Sequence, residues 1–88
     1  LETARSLLYR AAWLRSLGRS IFLEAALAKL HTSESWVKSA QDAIQIHGGY
    51  GFMTEFEFER ELRDAVGSTL YSGTTEIQRN IIARRLGL

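Results

Sequence analysis

The stretch Phe22-Leu23-Glu24-Ala25-Ala26-Leu27-Ala28-Lys29-Leu30 opens an apolar stripe that Trp36, Val37, Ala40, Ala43 and Ile44 continue. That spacing is helical. It predicts one long helix from about Ser20 or Phe22 to Ile46. An inner face made largely of alanine lets neighbouring helices come close, so this helix is expected at the centre of a bundle. Upstream, Leu7, Leu8, Ala11, Ala12, Leu14 and Leu17 form a second stripe, with Arg5, Arg10 and Arg15 on other sides. They predict a helix from about Leu1 to Leu17, ending near Gly18. The chain has no proline, the residue that breaks helices most strongly. Long uninterrupted helices follow.

Downstream, Gly48-Gly49-Tyr50-Gly51 is expected to stop the long helix. Thr54-Glu55-Phe56-Glu57 has the form of a capping box, with Thr54 as N-cap and Glu57 three residues later. A third helix is predicted from about Glu55 to Leu70, turning Phe56 or Phe58, Leu62, Ala65, Val66 and Thr69 inward. Tyr71-Ser72-Gly73-Thr74 reads as a short break. Thr75-Glu76-Ile77-Gln78 then caps a fourth helix carrying Ile77, Ile81, Ile82 and Leu86. No repeat, linker or low-complexity segment interrupts residues 1–88. The expected fold is all-α, an antiparallel up-and-down helical bundle.

Composition removes several function classes. Eleven basic and ten acidic residues are well mixed, so nothing favours nucleic acid or an anionic membrane. No apolar run approaches the roughly 20 residues of a membrane span, and the opening residues do not read as a signal-peptide pattern. The absence of cysteine removes disulfides, thiol chemistry and cysteine-based metal sites. His31 and His47 have no partner at metal-ligand spacing, so no metal site is expected. Arg84 and Arg85 suit a helix C-terminus without any ligand, and Arg63-Asp64 could pair with neighbouring helices. A chain of this size buries roughly 60% of its unfolded surface, a modest core. It also begins at Leu1-Glu2-Thr3, inside a helical pattern and without an initiator methionine, and so reads as a fragment or processed product.

Two glycine breaks stand out. At Gln45-Ile46-His47-Gly48-Gly49-Tyr50-Gly51, a glycine turn could bring backbone N–H groups close to a ligand. A helix C-cap with a tight turn accounts for the same residues. At Tyr71-Ser72-Gly73-Thr74-Thr75-Glu76, a helix opens with free N–H groups, hydroxyls and the positive end of its dipole. An anion or a polar cofactor edge would suit it; so would an ordinary N-cap. The residues alone leave both pairs of readings open.

Taken together, the motifs resemble the C-terminal domain of acyl-CoA dehydrogenases. The resemblance rests on Glu2-Thr3-Ala4-Arg5 with Tyr9-Arg10-Ala11-Ala12-Trp13, and on Glu24 to Leu30. It continues through Gln45 to Phe52, Glu59-Arg60 with Arg63-Asp64-Ala65, and Gly73-Thr74-Thr75-Glu76-Ile77-Gln78-Arg79. These follow in the family's order and spacing over essentially the whole chain. The resemblance implies a flavoprotein that oxidises an acyl-CoA or acyl-carrier thioester between its α and β carbons. It implies FAD as cofactor and an electron-transfer flavoprotein as electron acceptor. It also implies a dimer of dimers, homo- or hetero-oligomeric, in the bacterial cytoplasm or the mitochondrial matrix. The first bundle helix, the β domain and the N-terminal domain of that family lie outside these 88 residues.

The site residues implied are specific. Gln45, Ile46, His47, Gly48 and Gly49 match positions that contact the FAD held mainly by a neighbouring subunit. Thr74, Thr75 and Glu76 match contacts to FAD in the subunit's own site. Tyr71 and Gly73 match positions at the thioester end of the substrate pocket. Ser72 departs from the family: many members place there the catalytic glutamate that takes the α-proton. A serine without an activating base cannot replace it, and no His or Lys lies close by in sequence. Its backbone N–H can still hold the thioester oxygen. Three explanations remain: a base on the preceding bundle helix, as in isovaleryl- and long-chain-type enzymes; a base-less subunit completing a partner's FAD site; or a different flavin reaction, as in related monooxygenases. A smaller departure is Glu57, where many relatives have proline.

Overall fold

A computed structural model describes residues 1–88, and every regular element in it is helical. The helices are α1 (Glu2–Ser16), α2 (Phe22–His47), a single turn α3 (Gly49–Phe52), α4 (Phe58–Ser68) and α5 (Thr75–Arg85). A 3₁₀ turn, Thr54–Phe56, precedes α4. The all-α expectation is met.

Helix α1 ends where the sequence places its stop. Gly18 takes φ +73°, its N–H bonds to the Arg15 carbonyl, and the Arg19 N–H reaches back to the Leu14 carbonyl. This is a Schellman arrangement, which satisfies carbonyls that the helix end would otherwise leave open. The α2 helix then runs for 26 residues, about 39 Å at 1.5 Å per residue.

Everything else packs on α2. Most buried residues are small: Ala11 on α1, Ala65 and Ser68 on α4, and Ala26, Ala28, Ser33 and Ala40 of α2 itself, with Leu14 of α1 and Gln78 of α5 the larger exceptions. Small side chains permit close helix approach, at the expense of core volume. No large side chain is fully buried. The Ser33 hydroxyl lies 2.7 Å from its own helix's Lys29 carbonyl and 3.2 Å from the Ser68 carbonyl of α4. That polar stitch closes the α2–α4 contact, and no buried side-chain polar atom lacks a partner.

Named contacts fix the topology. His47 stacks on Phe58 at the start of α4, and Ser33 meets Ser68 at its end. Glu34 accepts a bond from Thr75 at the start of α5, and Arg85 sits over the Phe22 ring at its end. Both helices therefore run antiparallel to α2 and follow one another along it, α4 beside the C-terminal half and α5 beside the N-terminal half. Together they form one rod broken at 69–74. The result is elongated, 47 × 23 × 17 Å, and it leaves Tyr9, Trp13, Phe22, Phe52 and Leu70 exposed.

Four local expectations change. The α2 helix stops at Gly48 alone, with φ 61° and ψ −137°, a region open essentially to glycine; the chain becomes helical again at Gly49. The capping box at Thr54 does not form: Thr54 lies in the 3₁₀ turn, and Glu57 is itself the N-cap of α4 at φ 64°, without a side-chain cap bond. No proline can adopt that φ. The inward set thins too, since Phe56, Val66, Ile77 and Leu86 are exposed. Finally, Thr74 rather than Thr75 caps α5, accepting the Ile77 N–H at 3.2 Å.

Candidate functional site

The second break carries the denser chemistry. Ser72 sits at φ 55° and Gly73 at φ 93°, two successive residues in the left-handed region. For serine that conformation is unfavourable and persists only when the surroundings impose it. The surroundings are visible. The Gln78 side-chain amide donates to the Ser72 carbonyl at 3.1 Å and to the Gly73 carbonyl at 3.3 Å. The Lys29 ammonium donates to the Gly73 carbonyl at 2.7 Å. Gln78 is only 7% exposed.

The free groups of the turn are donors. The Thr75 N–H bonds to the Thr69 carbonyl, closing the loop. The N–H groups of Ser72, Gly73 and Thr74 have no protein acceptor. The Thr74 hydroxyl oxygen accepts from Ile77, which leaves its proton free to donate. The Thr75 hydroxyl spends its proton on Glu34 Oε1 at 2.7 Å. Glu76, in the first turn of α5, is exposed. Tyr71 and Ser72 are exposed beside it. Such a set suits an acceptor-rich ligand, because exposed N–H and O–H groups beside a helix N-terminus favour phosphate, carbonyl or ring-nitrogen acceptors.

The first break is different. Gln45, Ile46, His47, Gly48 and Gly49 are all exposed, and Ile46 is 81% exposed. The His47 ring stacks on Phe58 with centroids 4.0 Å apart, and its Nδ1 lies 2.8 Å from the Ala43 carbonyl. Gly51 is buried directly against α2: a Cβ there would stand 2.5 Å from the Ile44 carbonyl oxygen. From Glu34, which meets Thr75, to Gln45 is eleven residues of helix, roughly 16 Å. The structure thus brings Tyr71 to Glu76 together as one cluster and Gln45 to Gly49 as another. It does not join the two.

Three residues of the turn's frame escaped the sequence reading: Lys29, Glu34 and Gln78. A signal existed for two of them. Lys29 lies on the inward face between Ala26 and Ser33, and Gln78 precedes Ile81 and Ile82 on theirs, so each is a polar side chain at a packed position. Lys29 also alters the reading of Ser72, since 44 residues separate it from Gly73 in sequence while its ammonium touches that residue in space. It bonds the carbonyl, not the serine hydroxyl, and so does not activate Ser72. Arg63 and Asp64 do not pair with neighbouring helices either: Asp64 lies 3.9 Å from Arg60 on its own exposed face. No cluster of metal-ligating side chains occurs, and no helix is long and apolar enough to cross a membrane.

Comparison with known proteins identifies the family. Residues 1–87 match the family description "Acyl-CoA dehydrogenase, C-terminal domain". An acyl-CoA dehydrogenase of Bacillus subtilis is 49% identical over 85 residues, 97% of this chain and 22% of that protein. The prolyl acyl carrier protein oxidase AnaB superposes with a TM-score of 0.95 at 53% identity, covering 99% of this chain and 23% of that one. PigA, solved as an FAD complex, gives 0.94 at 42% identity, again covering 99% and 23%. The chain spans less than a quarter of the length of these relatives. A match along nearly every residue, with relatives near half identity, means that the chain belongs to the acyl-CoA dehydrogenase family, in the part that forms its C-terminal domain.

Proposed function

We propose that these residues form the C-terminal helical segment of an FAD-dependent acyl-CoA dehydrogenase, which oxidises an acyl thioester between its α and β carbons. The observation that carries the reading is the turn at 71–76: outward donors, a frame that imposes them, and no competing protein acceptor. FAD fits that donor set, being rich in phosphate, ribityl and ring acceptors. Thr74, Thr75 and Glu76 would hold it in the chain's own site, and Gln45 to Gly49 would touch the FAD of a neighbouring subunit. When bound, the flavin supplies the two-electron acceptor for the oxidation.

This chain's own part is binding and orientation. Tyr71 and Gly73 line the thioester end of the pocket, and the Ser72 N–H holds the thioester oxygen as negative charge builds there. The α-proton needs a base held in a dry pocket. Ser72 is exposed and a serine hydroxyl without an activating base cannot take that proton, so the base is assigned to the first bundle helix upstream or to a partner chain. Separation of the two clusters by roughly 16 Å along α2 supports the assignment to two FAD sites in an oligomer. An electron-transfer flavoprotein is the proposed electron acceptor, and the cytoplasm or mitochondrial matrix the proposed compartment.

A second substrate reading has its own support. AnaB, at 53% identity, is a prolyl acyl carrier protein oxidase, which favours a carrier-bound thioester over acyl-CoA. The experiment uses the complete flavoprotein. A short acyl-CoA and an acyl-carrier thioester are mixed with it in parallel, and loss of the visible flavin band is followed. Bleaching by either supports the dehydrogenase and identifies the carrier. Bleaching by this chain without a partner removes the base-less alternative; no bleaching, with activity restored by Ser72→Glu, establishes it. A complete protein that never retains flavin overturns the cofactor assignment.

A further inference from the structure

We propose that Lys29 is a positioning residue for the turn at 72–74, acting with the buried Gln78 to aim the Gly73 and Thr74 N–H groups at the ligand. The inference rests on the reading that this turn faces the cofactor and thioester. Its basis is the geometry of the peptide bond. A trans peptide is planar and carries its C=O and N–H in opposite directions. Whatever holds the carbonyl of one residue therefore sets where the next residue's N–H points.

Lys29 Nζ and Gln78 Nε2 both bind the Gly73 carbonyl, so the Thr74 N–H is turned away from α2. Gln78 Nε2 also binds the Ser72 carbonyl, which turns the Gly73 N–H in the same manner. Neither N–H has an acceptor within the chain. A bond from an ammonium is charge-assisted and stronger than one from a neutral donor. It also polarises the peptide it grips, which makes the opposite N–H a better donor.

Two further observations single out Lys29. It lies on the packed face of α2 with its ammonium on a carbonyl, whereas the chain's ion pairs, Arg5–Glu2, Lys38–Asp42 and Arg60–Asp64, all lie elsewhere on exposed faces. Its partner residue follows Ser72, whose φ of 55° needs support from outside the turn. Gly73 is itself crowded: a Cβ would stand 2.6 Å from Gln78 Nε2, so a side chain there would push the Gln78 amide out of its grip. Lys29 touches none of the reacting atoms. It acts through the turn.

The test compares the complete flavoprotein with its Lys29→Met and Lys29→Arg variants, and uses Lys38→Met as the control. Amide hydrogen exchange is read at Thr75 and Ile77, whose bonds to the Thr69 carbonyl and the Thr74 hydroxyl report closure of the turn. Lys29→Met should exchange there about tenfold faster while residues 40–50 stay as in the parent. With a thioester that bleaches the parent flavin, its rate at saturation should fall about tenfold and its half-saturating concentration should change less than about threefold. Lys29→Arg, which keeps a cationic donor, should recover both. Unchanged exchange in Lys29→Met overturns the proposal, as does a lost rate that merely tracks lost flavin or that arginine does not rescue. Faster exchange in a protein whose parent bleaches with no thioester upholds the positioning role and sinks the dehydrogenase reading alone. Should Lys29→Met fail to accumulate as folded protein, Lys29→Gln carries the same comparison with a neutral donor.

Discussion

The two glycine breaks look alike in sequence and are built in opposite ways. Around Gly48 the break is held from within: one glycine reverses the chain, a helical turn resumes at once, and Gly51 presses on the Ile44 backbone. Its exposed side chains include Gln45, Ile46 and one edge of His47. Around Gly73 the break is held from outside by Lys29 and Gln78, and what it offers outward is backbone N–H. A glycine run therefore says where a chain can turn. The neighbours decide how the turn is held and which way its peptides point.

The sharpest way to break this contrast is Gly51→Ala. A methyl group 2.5 Å from one backbone oxygen and 2.8 Å from a backbone Cα cannot be relieved by a rotamer change. Overpacking of this kind costs about 3 kcal/mol, and denaturant unfolding of the complete protein should show it. Gly73→Ala should cost about 2 kcal/mol, less because the crowding atom is the end of a flexible glutamine, with the positive φ adding its part. Retained flavin per subunit should fall further than the lost stability accounts for, whereas after Gly51→Ala flavin should be lost only in step with stability.

Gln78→Leu tests the external frame by another route. It removes both bonds to the turn from a buried position and should destabilise by about 1–2 kcal/mol, again read by denaturant midpoint. At the self-held break, Ile46→Asp should leave the helical fold unchanged within about 0.5 kcal/mol, because the side chain is already in solvent. If that break faces a neighbouring subunit, the same variant dissociates the oligomer in size-exclusion chromatography. A small effect of the opposite sign belongs to Glu57, which lies in neither break. Glu57→Gly relieves a left-handed glutamate and should raise stability by about 0.5–1 kcal/mol, visible as a small upward shift in Tm.

Much of the fold was legible. Period and alanine content placed α1 and α2 within a residue or two, because a helix that buries one face must repeat its apolar residues at that spacing. Helix starts were less legible. The Thr54 and Thr75 capping signatures each misplaced a start, by three residues at the first, where Glu57 is the N-cap, and by one at the second, where Thr74 is, since a hydroxyl followed three residues later by Glu or Gln occurs near a cap as readily as on it. At Glu57 the chain takes a left-handed value that no local preference of glutamate predicts.

The candidate site divides the same way. Tyr71 to Glu76 and Gln45 to Gly49 were legible as segments, through their glycines and their resemblance to a family. Lys29 and Gln78 showed only as polar side chains at packed positions, because their role depends on which residues lie opposite them across α2 and α5.

By itself, the sequence determined that this chain is helical, where its two breaks fall and which family it resembles, all of which follow from local periodicity, glycine placement and motif order. Only the tertiary structure decided that α4 and α5 line up as one broken rod along α2, that the two breaks stand apart as separate clusters, and that a lysine 44 residues away grips the Gly73 carbonyl. The physical reason is that a peptide's donor direction is set by whatever binds its carbonyl, and that partner is chosen by packing.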